Sequence, residues 1–263
     1  MTQVDRAARP GLRVQAAVLT AVVVAAAVAA SSVAHASRAD LSAFLERAEK
    51  MAVFNSAVRA DIKVVRDGAA VDTAVLIVDP KANRQFFALK SSGWRALLPL
   101  DWGRGTAVAA KDGKPAAFDV DDALPKTDLR GMEFFPFWQT DYTTAFVSDS
   151  NRMEKTITLY ARERLPYILF VITFDKEKLV PVLVKYYREN MNNLVRLRQD
   201  SNHVMVGSRP RPRKIEIRDF TENRAMTFEL DWRTLDQVPP GLTEESGFHK
   251  VSVDWPSDPV AAR

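Results

Sequence analysis

The spacing of apolar residues changes twice along the chain. From Ala16 to Ala30 they form a nearly unbroken run, relieved only by Thr20. From Ser37 to Val53 they recur at three- and four-residue steps as Leu41, Phe44, Leu45, Ala48 and Ala52, with Arg38, Asp40, Glu46, Arg47 and Lys50 between them, which predicts an amphipathic helix. Period two takes over beyond it. Ile62 and Val64 share a face of a strand ending at Asp67-Gly68, a pair suited to a two-residue hairpin turn, and residues 71–78 read as the returning strand. Strands follow over residues 84–90 and 94–98, and Asp112-Gly113 turns a further hairpin within residues 106–118.

The second half is more regular. Ile157 and Leu159, residues 167–174, residues 180–187, Val195 and Leu197, Ile215 and Ile217, then Met226, Phe228, Leu230 and Trp232 mark strands at intervals of roughly 10 to 15 residues. Such intervals leave no room for crossover helices, so neighbouring strands are expected to be antiparallel. Arg196, Arg198, Lys214, Glu216, Arg218, Glu229 and Asp231 alternate with the apolar positions, which predicts one wet face and one apolar face. Beyond Leu235, Pro239-Pro240-Gly241 opens a polar and partly disordered tail, residues 236–263. A long antiparallel sheet with a single helix must cover its apolar face by curving, so the expected fold is mainly β with few helices, a curved and half-closed sheet of about ten strands. Phe134, Phe135, Phe137, Trp138 and Tyr142 crowd five aromatics into nine residues around Pro136 with no clean period, the character of a plug or lid.

The start of the chain alters the meaning of the rest. Arg6, Arg9 and Arg13 precede the apolar run and Ala34-His35-Ala36 follows it with small residues where signal peptidase requires them, so residues 1–36 read as a cleaved export signal. The run is too short and too Ala-rich to be a comfortable membrane span. The mature protein would begin at Ser37 outside the cytoplasm, as a soluble periplasmic chain. Cys is absent, so there is no residue to lipidate, no disulfide and no thiolate metal site. Losing Arg6, Arg9, Arg13 and Asp5 with the leader takes the formal charge from +4 to +2, which removes the argument for nucleic acid as a partner.

Candidate chemistry is sparse. The mature chain holds only His203 and His249, with no ligand spaced as a metal pair, and has no nucleophile elbow, phosphate loop or thiol. Asp119, Asp121 and Asp122 resemble a fragment of a calcium loop that lacks its Gly and closing Glu. The chain is therefore read as no enzyme, with no metal and no cofactor. Arg209, Arg211, Arg213 and Lys214 stand beside Pro210 and Pro212, which predicts an exposed connection able to meet anionic head groups or an acidic partner.

Several phrases, in their order, resemble the LolA/LolB-like outer-membrane lipoprotein-sorting proteins. They are the N-terminal helix, the strand pair ending in Ile77-Val78-Asp79-Pro80, the segment Leu124-Pro125-Lys126-Thr127-Asp128-Leu129-Arg130-Gly131-Met132, and a meander carrying Pro166-Tyr167, Lys185-Tyr186-Tyr187 and Pro212-Arg213-Lys214-Ile215. The resemblance implies one domain over residues 37–235, a half-open antiparallel β-barrel with a lid over an apolar cavity. It also implies carriage of lipoproteins or other lipid amphiphiles, with an envelope membrane transporter or acceptor as a further partner. No residue matches the lid-latching arginine of the soluble carriers, so that latch is not carried over. On this reading Phe134, Phe135, Phe137 and Trp138 cover the mouth, and Phe86, Phe87, Trp94, Leu97, Leu98, Tyr167 and Phe170 form the wall. The other reading is an interaction or sensor module, fully packed, that docks on an envelope membrane protein without cargo.

Overall fold

The computed structural model describes residues 40–100, 107–111, 113–117, 142–148, 152–161 and 167–256. The chain divides into two compact units, Met1–Arg47 and Ala48–Arg263. Residues 40–52 form helix α1, and Phe44, Leu45 and Ala48 on its apolar stripe are buried as their spacing predicts. Among the described residues no helix is long and apolar enough to cross a membrane.

Among the described residues thirteen strands follow: β1 (Val58–Arg66), β2 (Ala69–Asp79), β3 (Arg84–Leu89), β4 (Arg95–Pro99), β5 (Val108–Lys111), β6 (Lys114–Ala117), β7 (Tyr142–Ser148), β8 (Glu154–Ala161), β9 (Leu169–Asp175), β10 (Val180–Tyr187), β11 (Leu194–Val206), β12 (Arg209–Asp219) and β13 (Arg224–Thr234). They form one antiparallel sheet in the order β6-β5-β4-β3-β2-β1-β13-β12-β11-β10-β9-β8-β7. Two meanders, β1 to β6 and β7 to β13, are thus joined side by side through β1 and β13, which pair from Val58↔Thr234 to Arg66↔Met226. β6 and β7 are successive in the chain and stand at opposite ends of an open sheet.

Local chemistry sets the hairpins. Asp67 and Gly68 both take positive φ, 49° and 82°, the turn whose twist matches the flanking strands. A second device appears three times. Asp79, Asp175 and Asp219 each accept the backbone N–H groups of the residues two and three positions on, and each turn closes with a positive-φ residue, Asn83, Leu179 or Asn223.

Because paired residues share a face, the registers sort every strand into two sides. On the front lie Ile157 and Leu159 of β8, Phe170 and Ile172 of β9, Val184 and Tyr186 of β10, Ile215 and Ile217 of β12, Phe228 and Leu230 of β13, Ile62 and Val64 of β1, Leu76 of β2, Phe87 and Leu89 of β3, and Leu98 of β4. On the back lie Lys214, Glu216 and Glu229 in the second meander, and Val75, Ile77, Phe86, Ala88 and Leu97 in the first. The first meander is therefore apolar on both sides. Its strands read as continuous runs, Ala74–Val78 and Phe86–Leu89, every residue of which is buried.

What covers the back of the first meander is the segment that the sequence suggested to be a polar tail. Leu242 and Phe248 join the buried cluster of Val75, Ile77, Phe86, Ala88 and Leu97, with Leu235, Val238, Val251, Val253 and Trp255 packed against it. Two arginines hold its backbone. Arg95 donates to the carbonyls of Phe248, His249 and Val251 at 3.2, 3.1 and 2.6 Å, and Arg59 donates to the carbonyl of Asp254. An Arg84–Glu245 ion pair at 3.0 Å adds a third tie. Gly247 allows the segment to fold on itself, since a Cβ there would lie 2.8 Å from the carbonyl oxygen of Gly241.

Two expectations about charge are corrected. Residues 209–214, expected as an exposed connection, are the first half of β12 and pair with β11 from Val206↔Arg209 to Ser201↔Lys214. The prolines fit because β12 pairs with β13 only from Lys214 onward, which leaves the side facing β13 without a ladder over Pro210 and Pro212. The Pro212 carbonyl on that side instead accepts the Trp232 indole N–H at 2.8 Å. Arg196 and Arg198, expected on the wet face, lie on the front beside Tyr186 and Val184, and Arg196 is 3% exposed.

Candidate functional site

The front face has two apolar wings with a band of charge between them. The wing of β8 to β10 centres on Tyr167, Phe170 and Tyr186, whose ring centroids lie 4.9 to 5.8 Å apart in tilted and edge-on arrangements. The wing of β13 and β1 to β4 is built from Phe228, Leu230, Ile62, Val64, Leu76, Phe87 and Leu98, all buried. Trp94 meets Phe87 edge-on at 6.3 Å. Between the wings, Arg196 pairs with Asp219 at 3.3 Å and Arg198 with Asp200 at 2.7 Å. Burial alone would raise the Asp219 carboxyl, but hydrogen bonds from Thr221 and Glu222 and the Arg196 charge outweigh it and hold the group below its ordinary value. These side chains are matched to one another, so the band separates the wings without presenting uncompensated charge.

Arg211 ties the end of α1 to the sheet within the second unit. Its guanidinium donates to the carbonyls of Met51, Ala52 and Val53 at 3.0 to 3.3 Å and lies 4.1 Å from the ring centroid of Phe54. A cation at a helix C-terminus meets carbonyls that have no partner inside the helix. Burial, with the charge of Arg209 added, pushes the Arg211 group down to about 10. Phe54 in turn stands 6.1 Å from Trp232. The residues after α1 thereby fill the place where β12 and β13 do not pair.

The candidates singled out in the sequence fall into distinct groups. Phe87, Leu98 and Phe170 belong to the front face, and Tyr167, wholly buried, packs with Phe170. Phe86 and Leu97, their chain neighbours, point the other way into the core beneath residues 235–255. A strand cannot send adjacent side chains to one wall, so the front surface comprises alternate members of the set. Phe134, Phe135, Phe137 and Trp138 lie outside the described residues. The basic group is dispersed too: Arg211 is buried at the helix end, Arg209 donates to the Met51 sulfur, Lys214 pairs with Glu216, and Arg213 reaches Asp231 at 3.9 Å.

Sequence reasoning missed Ile157, Leu159, Ile172, Val184 and Tyr186 as partners of Phe170 on one surface. Their period-two spacing was visible, and only the registers reveal that they share its side. Among the described residues, no group of three or more His, Asp or Glu is placed to hold a metal ion.

The single open antiparallel sheet, preceded by one helix, is a fold shared with solved structures. No protein-family model and no curated protein matches the sequence. Among solved structures, a putative outer membrane lipoprotein-sorting protein domain from Vibrio parahaemolyticus is similar over 79% of this chain and 97% of its own, with a TM-score of 0.65 and 10% identity. A DUF1329 family protein from Desulfovibrio piger is similar over 76% of this chain and 97% of its own, with a TM-score of 0.61 and 10% identity. At such identities the likeness is one of fold.

Proposed function

We propose that the protein is an exported, non-enzymatic carrier that shields the acyl chains of lipoproteins or other amphiphiles on its front face, for transfer through the cell envelope. The observation that carries this reading is the pair of apolar wings on that face, Leu159 and Phe170 on one and Phe87 and Leu98 on the other, on a fold shared with a lipoprotein-sorting domain. Burying one methylene contributes about 0.8 kcal/mol, so ten methylenes of a single chain supply about 8 kcal/mol, the scale of micromolar binding. No reacting group is needed for such work. A membrane transporter or an acceptor in the envelope would load and unload it.

The test is native mass spectrometry and lipid extraction of protein purified without detergent, followed by titration with N-phenylnaphthylamine. Bound acyl lipid, or probe uptake that lipid reverses, supports the carrier. Clean protein that leaves the probe dark rejects it. One observation favours the other reading, a docking module without cargo: Phe87, Leu98, Tyr167 and Phe170 are each 0% exposed, packed by the chain itself. That reading gains if the probe is refused and the protein is captured intact with a membrane partner.

A further inference from the structure

Strand β3 is buried on both sides from Gln85 to Leu89, and Gln85 is the one polar side chain in that stretch. Gln85 is 2% exposed and its carboxamide nitrogen has no hydrogen-bond partner. Its cross-strand neighbours on the front face are Val78 of β2 and Leu98 of β4, and Phe87 is next on its own side. All three are 0% exposed, and none offers a side-chain acceptor. The surrounding backbone carbonyls are engaged in a sheet ladder on either side of β3.

The buried charged side chains, by contrast, meet partners of opposite charge or backbone carbonyls. Arg59 pairs with Asp61, Arg196 with Asp219 and Arg198 with Asp200, and Arg211 is met by carbonyls. A buried amide donor without an acceptor carries a desolvation cost that nothing among the described residues offsets. Leu or Met would occupy a similar volume without that cost.

We propose that Gln85 is the hydrogen-bond donor to a cargo carbonyl, the oxygen of the ester or amide that joins an acyl chain to its head group. The inference rests on the carrier reading and adds its chemical selectivity. An acyl chain laid on the front face brings its carbonyl into apolar surroundings, where that oxygen needs a donor as much as Gln85 needs an acceptor. The pair fixes how far along the face the chain lies and distinguishes acyl chains from alkyl ethers, which carry no carbonyl.

The experiment compares binding of dihexanoyl phosphatidylglycerol with that of its dihexyl ether analogue, below their micelle concentrations, by displacement of N-phenylnaphthylamine. Wild-type protein is expected to favour the ester by about tenfold, the contribution of one hydrogen bond in a dry site. In Gln85→Leu the ratio falls to about one while both amphiphiles still bind, and the unfolding midpoint of the unliganded variant equals or exceeds that of wild type. Gln85→Met serves the same purpose if branching at Leu disturbs packing. An ester preference that survives both substitutions, or equal binding of ester and ether by wild type, overturns the role of Gln85 and leaves the carrier intact. Failure of wild type to bind either amphiphile overturns the carrier reading itself, and this inference with it.

Discussion

Phe248→Ala tests whether residues 235–255 belong to the core or merely rest on it. Phe248 is 0% exposed, enclosed by Val75, Ile77, Phe86, Leu97 and Leu242. Truncating a fully buried Phe removes the transfer free energy of the ring and leaves a cavity, together about 3–5 kcal/mol. The lower end applies if the segment sinks into the space. Arg95 opposes that movement, since it already holds the carbonyls of Phe248, His249 and Val251. A loss of about 4 kcal/mol is therefore expected, a large part of the roughly 5–15 kcal/mol that stabilises a domain. With a urea slope of about 3 kcal/mol per molar, the midpoint falls by about 1.3 M at unchanged slope. The assay is urea unfolding followed both by far-ultraviolet circular dichroism and by tryptophan fluorescence, to which Trp255 of this segment contributes. Coincident curves mean that sheet and segment unfold together. A midpoint moved by less than about 0.2 M would refute the reasoning and make residues 235–255 a dispensable cover.

Further outcomes follow from the same geometry. Arg211→Lys replaces a planar fork by a point charge that cannot meet the carbonyls of Met51, Ala52 and Val53 together, and is expected to cost about 2–3 kcal/mol, with hydrogen exchange accelerating at residues 48–53 in particular. Desolvation by burial holds the His203 imidazole below its ordinary value, so the unfolded chain binds the extra proton first as pH falls through about 6.5, and stability should decline between pH 7.5 and 5. In His203→Gln that part of the decline disappears from urea midpoints measured across the range, and an unchanged slope with pH would contradict the assignment. Gly247→Ala places a Cβ within 2.8 Å of the Gly241 oxygen, and a thermal melt should register about 1–3 kcal/mol of destabilisation as the segment shifts to relieve the clash.

Much of the strand plan was legible because it is written in short-range chemistry. Asp67-Gly68 and Asp112-Gly113 marked hairpins that exist, β1–β2 and β5–β6, and the alternation at Ile215, Ile217, Met226, Phe228 and Leu230 put one apolar side on β12 and β13. β7 was missed, since Tyr142–Ser148 carries Thr, Ala and Ser at places where a clear apolar stripe would have announced it. The site was legible by residue type and not by direction. Period two states that Phe86 and Phe87 face opposite ways, and Leu97 and Leu98 likewise, without saying which member of each pair meets which cover.

By itself, then, the chain determined an amphipathic helix, a succession of antiparallel hairpins and a surplus of apolar surface on their alternating positions, because propensity, turn geometry and periodicity act between residues a few places apart. The tertiary structure alone decided the rest. That β1 lies beside β13, that Arg196 has Asp219 waiting for it inside the front face, that Arg211 meets the end of a helix about 160 positions away, and that a Pro-rich ending shields the back of β1 to β5, are all contacts between distant parts of the chain. A buried charge or an apparent tail looks polar in sequence because its partner is supplied only when those distant parts meet.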